Sequence, residues 1–343
     1  MAIDANAYSP KQFTFLIAEQ DDFGTFNLDS TGGGTNDALN WVAVDVDSVG
    51  SPSLNLNQVL DPRTGSRVLQ ATDFFQDNKA KVIEISVSGT ATTEILDMLL
   101  NNITGDTSSP YSVASNAPAQ TFTTATADQT DMQIFSIAYN SPSSGNTLAF
   151  KDCFCTAITL SGDQGTEGGR IKFSATFKSG SLPEDLTDGQ LSIDTAVTAN
   201  NYYMSTWDAD DRIVAGIANC LVQSFTLNIE NDMVFAGATT ATGYELATRV
   251  GEISASADFT IKYDANTDVL FENFHDQVTG ASEGATLMAT DATPSDGEFE
   301  FKFASSVMTN VAFNEGDMMM LDVSVKAVGA GIGSGTALFE IAC

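Results

Sequence analysis

Few residues in this chain are of the types that do chemistry. The single histidine, His275, lies in a stretch with apolar residues at helical spacing, and no Gly-x-Ser-x-Gly elbow accompanies it. A lone histidine there reads as a partly buried structural residue, because a His-built metal site needs partners that this chain lacks. Cys153 and Cys155 stand two apart in a strand-like run, which turns both thiols to one strand face. They read as buried structural thiols, and with Cys220 and Cys343 they are too few for a disulfide framework. Asp208, Asp210 and Asp211 could hold calcium, yet the spaced ligands and closing Glu of an EF-hand are absent, so a solvated acidic turn is expected. The glycine-rich stretch from Gly162 to Gly169 lies between two strand-like runs and reads as a hairpin loop. No phosphate-cradling Gly-x-x-x-x-Gly-Lys-Ser/Thr occurs, and nothing singles out a catalytic carboxylate pair among the many acids. No catalytic residue, cofactor or metal is therefore expected, and the chain is not expected to be an enzyme.

The acids matter as a population. Asp and Glu total 45 against 14 Lys and Arg, a net charge of −31. Contact with a nucleic-acid backbone requires Lys and Arg to displace condensed counterions, so this surface repels phosphate and anionic membrane alike. Two readings remain open: solubility in a salty environment, or a surface past which polyanions must travel without sticking. The start of the chain has no basic-then-apolar leader, and no apolar run reaches the ~18 residues that span a bilayer, so folding in a cytoplasm is expected.

The elements that would carry any site are mostly strands. Ile83, Ile85 and Val87 alternate with Glu84, Ser86 and Ser88. Ile171, Phe173, Ala175 and Phe177 do the same with Lys172, Ser174, Thr176 and Lys178; so do Phe225, Leu227 and Ile229, and Leu321, Val323 and Val325. This period of two marks half-buried strands with one dry and one wet face. Two stretches look helical instead. Thr93 would cap Ile95, Leu96, Leu99, Leu100 and Ile103, with Gly105 as the stop. Thr267 would cap Val269, Leu270, Phe271, Phe274 and Val278, with Gly280 as the stop.

The chain also repeats itself. Val82-Ile-Glu-Ile-Ser-Val-Ser88 returns as Val250-Gly-Glu-Ile-Ser-Ala-Ser256, a displacement of 168 residues. Residues 51–57 match 224–230, the helical stretches match each other, 149–151 match 300–302, and 171–176 match 321–326 more loosely. Ordered matches of this kind indicate duplicated units. The polar stretch from Ser179 to Gly189, with Pro183, reads as the connection. The expected organisation is a first domain over residues 1–180 with enlarged loops, a linker over 181–200 and a second domain over 201–343.

Several stretches carry a family resemblance. The run from Phe150 to Gly162 with Glu167 to Phe177 looks like the closing hairpin of tail tube (major tail) proteins of long-tailed bacteriophages. Phe15 to Gly24 is similar to the opening of those proteins, and Ser224 to Asn231 with Arg249 to Ser256 resembles their middle. The resemblance implies a mainly β chain: two tandem tail-tube-like β-sandwich or barrel domains, each with one flanking α-helix. It implies a virion protein of the tail, assembled in the host cytoplasm, that forms homotrimeric, pseudo-hexameric rings stacked into a conduit for DNA ejection. Tape measure, terminator and baseplate proteins would be its neighbours, DNA would pass without specific binding, and no membrane would be involved. Another β-rich virion protein, such as a capsid decoration, baseplate or adhesin module, is the alternative. The recurring acid of the Glu-Ile-Ser strand makes Glu84 and Glu252 the expected lumen-facing residues.

Overall fold

The computed structural model describes residues 13–20, 23–24, 41–44, 46–50, 58–60, 68, 73–76, 82–104, 121–123, 134–140, 147–186, 193–194, 202–204, 212–237, 243–250, 253–276, 283–287, 299–316, 318–328 and 338–342. The fold is mainly β and almost wholly antiparallel. The first half holds β1 (Thr14–Gln20), β2 (Trp41–Val44), β3 (Val46–Val49), the hairpin β4 (Gln58–Leu60) and β5 (Phe74–Gln76), then β6 (Ile83–Thr90) and helix α1 (Thr93–Thr104). It continues with β7 (Thr121–Thr123), β8 (Ile134–Asn140), the long β9 (Thr147–Asp163), β10 (Lys172–Ser179), β11 (Glu184–Leu186) and β12 (Ile193–Asp194). The second half holds β13 (Arg212–Ile213), β14 (Val222–Glu230), the hairpin β15 (Met233–Ala236) and β16 (Leu246–Arg249), then β17 (Ser254–Lys262) and helix α2 (Val269–Asp276). It closes with β18 (Glu283–Leu287), the long β19 (Glu300–Glu315), β20 (Met319–Ala327) and β21 (Glu340–Ala342).

The pairing scheme of one half recurs in the other. In the first, β3 pairs β6, β6 pairs β10, β10 pairs β9, and β9 also takes β8 and β11. In the second, β14 pairs β17, β17 pairs β20, β20 pairs β19, and β19 also takes β18 and β21. Even the outer contact of β1 with β8 has its counterpart in β13 with β18. Each half thus contains a four-strand unit, β3-β6-β10-β9 or β14-β17-β20-β19. A two-stranded hairpin follows the first strand of each, and a helix follows the second.

The sheet refines two of the expected matches. The strand beside β6 that takes the place of β14 is β3, which precedes residues 51–57; those residues lie outside the described ones. Ser88 faces Ser174 while Ser256 faces Lys326, so matching 82–88 to 250–256 and 171–176 to 321–326 at once leaves a two-residue disagreement. A slip of two keeps every side chain on its own face, so alternation in sequence does not reveal it.

The alternation itself holds. Along β6, Ile83, Ile85 and Val87 are buried while Glu84 and Ser86 are exposed. The dry residues of both units merge into one hydrophobic core that runs from Phe15 to Ile341, with Phe301 stacked on Phe259 and tilted against Phe225 and Phe303. Helix α1 follows the expected stripe; in α2 Leu270, Phe271 and Phe274 follow it, Val269 is exposed, and Val278 lies outside the described residues. Helix α1 packs on the dry side of its sheet and is itself covered: residues 95–104 are buried all round, including Asp97, Asn101 and Asn102. Helix α2 does flank its sheet, packing Leu270, Phe271 and Phe274 inward and leaving Glu272 exposed. His275 is exposed as well, not partly buried, because it falls on the outer side of this short helix. The hydroxyl of Thr267 donates to the carbonyl of Lys262 and accepts from the amide of Asp264, tying the helix entrance to β17.

The stretch expected to be a loose linker is partly structural. Ser179 and Ser181 are buried, β11 pairs with the start of β9, and Glu184 holds Lys151 at 2.8 Å. The strand β12 runs parallel to β2.

Candidate assembly interface

The two four-strand units meet through a strand pairing. Seven residues of β14 lie against the second part of β9, from Ser224 opposite Asp163 to Glu230 opposite Ala157. On the dry face Leu227 meets Leu160 and Ile229 meets Ile158, all buried. Phe225 stands opposite Gly162, where a Cβ would lie 2.9 Å from the ring of Phe225 and 2.7 Å from the sulfur of Met204. Only glycine leaves room for both. On the wet face Thr159 donates to the side-chain carbonyl of Asn228 at 2.8 Å.

The hairpin β15–β16 reinforces this junction by lying on the first half. Phe235 packs on Phe154 with ring centroids 5.9 Å apart and presses on Gly180, where any Cβ would run into its ring. The amide of Tyr244 donates to the carbonyl of Gly180 at 3.1 Å. At the base of the hairpin the buried guanidinium of Arg249 donates to the carbonyls of Cys155 at 2.7 Å and Asn102 at 2.6 Å, and to that of Asn231. Asn231 donates its side-chain amide to the carbonyl of Ile103 at 2.7 Å. The carbonyls of Asn102 and Ile103 in the last turn of α1, which have no helical partner, are therefore satisfied by the second half, the first of them by a cation at the negative end of the helix dipole. Burial pushes the pKa of Arg249 down to about 10, which leaves it charged at neutral pH.

The same edges recur at the outer limits of the sheet. Among the described residues, β3 pairs only with β6, and residues 307–315 of β19 pair only with β20. These are the counterparts of β14 and of the second part of β9, the two strands that join the halves. Phe313, in the dry row of β19, is 49% exposed because no neighbouring strand covers it, although its ring touches those of Tyr263 and Phe271.

The wet face is lined by hydroxyl and amide groups in rows across the strands. One row runs Ser88, Ser174, Thr159, Asn228, Ser256 and Lys326. Ser48 and Ser88 share a 2.9 Å hydrogen bond, and Thr260 donates to Asp322 at 2.8 Å. Glu84 lies on this face, exposed and directly across from Lys178. Glu252, its proposed counterpart, lies outside the described residues. Three of the lysines here are held by carboxylates: Lys178 by Asp232 at 2.6 Å, Lys172 by Glu167 at 3.1 Å and Lys262 by Asp264 at 3.7 Å.

The other expected features divide in the same way. Cys153, Cys155 and Cys220 are free, buried thiols, and burial pushes Cys153 well above the usual thiol range, Cys155 up to about 12 and Cys220 up to about 11. Cys343 and the acidic turn of Asp208, Asp210 and Asp211 lie outside the described residues. The glycine-rich stretch is the β9–β10 hairpin, its turn fixed by Asp163, which accepts from the amide of Gly165 at 2.8 Å and from Thr166 at 3.1 Å. Among the described residues no group of three or more His, Cys, Asp or Glu side chains could hold a metal ion, and no helix is long and apolar enough to cross a membrane. Sequence reasoning gave no role to Arg249, Gly180 or Asp152. Asp152 is wholly buried, with φ of 55°, and accepts from Gln20, Gly24 and Ser181. One usable signal was present: Arg249 is a cation within a strand-like stretch, where a charge is kept only if it finds partners. Compared with protein-family models and with curated proteins, the chain matches none.

Proposed function

We propose that this chain is a structural subunit that closes into rings and stacks into a tube, and that the tube is the tail tube of a long-tailed bacteriophage. The observation that supports it is the β9–β14 pairing: the last strand of one unit receives the first strand of the next within a single chain. Among the described residues, the equivalent strands β19 and β3 are left with unpaired edges. Pairing β19 of one chain with β3 of the next repeats the internal junction and removes both edges, which would otherwise template aggregation. Each chain contributes eight strands in this order. Three chains would give a barrel of about 24 strands, wider than barrels of about 16–18 strands that already hold a water-filled channel. Both helices pack into the dry side of the sheet, so closure with the helices outward turns the hydroxyl-rich face, with Glu84, toward the bore. Such a lining, in a chain of net charge −31, gives DNA phosphates little to adhere to. In this reading the chain acts in the virion tail beside tape measure, terminator and baseplate proteins, with no catalytic step.

Sedimentation and negative-stain microscopy of the purified full-length chain test this. The expected result is three-chain rings and stacks of them. A chain that stays monomeric at every concentration and ionic strength overturns it.

A further inference from the structure

The two hairpins that follow the first strand of each unit are treated differently by the fold. In β15–β16 the pair two steps in from the base, Phe235 and Ala247, is turned onto the first half, and Phe235 is 8% exposed. In β4–β5 the pair two steps in from the base is Leu60 and Phe74, at 40% and 45% exposure. Val68, in the loop between those strands, is 71% exposed. An apolar cross-strand pair is thus offered to solvent at the place where the other hairpin makes its contact.

We propose that β4–β5 is an intersubunit latch: it docks on the second half of the adjacent copy of this chain, as β15–β16 docks on the first half of its own. The occupant follows from the internal contact. The first half receives β15–β16 around Phe154 and Gly180, where β9 and the end of β10 run side by side. The corresponding place in the second half is where Ser306 of β19 faces Ala327 at the end of β20. That place adjoins the part of β19 whose outer edge has no partner among the described residues, so a copy whose β3 pairs with β19 carries its β4–β5 hairpin to it, because the hairpin follows β3 in the chain. The latch rests on the ring reading and adds to it a second contact, made by side chains and separate from the edge pairing. Edge pairing with one dry face still allows a slip of two residues, and a packed hairpin beside it would hold the register.

The test uses the full chain with Cys343→Ser, so that Leu60→Cys can be labelled with a benzophenone maleimide while the buried native thiols stay unreactive. After assembly and irradiation, chain-to-chain cross-links should join residue 60 to peptides around 300–306 or 321–328. Rings whose cross-links fall on the first half, or only within one chain, overturn the latch and leave the ring reading standing. Absence of rings from the unmodified chain overturns both. As a second arm, Leu60→Ser with Phe74→Ser alters exposed positions and should leave the melting temperature of the free chain within a degree or two. It should raise the concentration needed for assembly at least tenfold; an unchanged assembly concentration also overturns the latch.

Discussion

The guanidinium of Arg249 donates to the carbonyl oxygen of Asn102 at 2.6 Å, across 147 residues of sequence. This one contact joins the C-terminal end of a helix whose residues 95–104 are buried, in the first half, to the base of a hairpin in the second. Replacing Arg249 with Ala would strand three carbonyls in the interior, and charge-assisted hydrogen bonds of this kind contribute about 1.5–3 kcal/mol each at most. Arg249→Ala should lower unfolding stability by about 3 kcal/mol or more, measured by urea denaturation. Arg249→Lys should recover only part of the loss, because an ammonium lacks the planar fork that reaches several carbonyls at once.

Gly180 tests the packing of the same junction without touching a charge. A methyl group there meets the ring of Phe235. Overpacking against a ring held between Phe154 and Tyr244 should cost about 1–3 kcal/mol. The outcome to check is a lowered melting temperature for Gly180→Ala that Phe235→Leu partly restores.

The free edge of β19 gives a variant that separates folding from assembly. Phe313→Lys places a charge in the dry row of a strand whose outer edge is unpaired among the described residues, a device by which natural sheets block edge-to-edge pairing. The free chain should keep its circular dichroism spectrum and lose about 1 kcal/mol through the aromatic contacts with Tyr263 and Phe271. Rings should disappear from electron micrographs. Rings that persist would show that β19 is not a contact strand.

Acid should loosen the β9–β10 hairpin first. The Asp163 carboxyl is held below the usual carboxylate range, chiefly by the hydrogen bond from the amide of Gly165 and further by Gln223 and Thr166. A carboxyl whose pKa is lower in the folded chain contributes stability above its unfolded value, about 3.9, and loses that contribution as pH falls through the folded value. Amide exchange at residues 164–169 should therefore quicken below about pH 4. Asp163→Asn should flatten that dependence while leaving exchange in β6 and β17 unchanged.

Glu84 offers a test of the bore. Glu84→Lys together with Glu252→Lys adds positive charge where repulsion is proposed, and tubes should still assemble. DNA retention by those tubes should rise and should fall off steeply as salt increases, since phosphate contacts release counterions. Retention that does not change, with tubes intact, would remove Glu84 from the lining.

Much of this protein was determined by its sequence alone. The period-two runs became strands because alternation leaves only one way to bury Ile83, Ile85 and Val87 together while wetting Glu84 and Ser86. The β9–β10 hairpin was legible because its turn needs the left-handed backbone that Gly168 and Gly169 adopt without strain. The buried thiols were legible from their apolar neighbours. The repeat was visible too, because equivalent units keep the same local pattern.

What only the tertiary structure decided is non-local. Local pattern does not say which edge meets which, so the β9–β14 pairing, the place of β3 and the two-residue offset between Ser88 and Ser256 emerged only once strands lay side by side. Helix α1 shows an apolar stripe like that of α2, yet one is enclosed and the other flanks the sheet, because enclosure depends on how much chain from elsewhere covers the outer side. Arg249 found its role for the same reason: a cation is stable in the interior only where carbonyls from distant segments converge, and that convergence is written in the packing of the two halves.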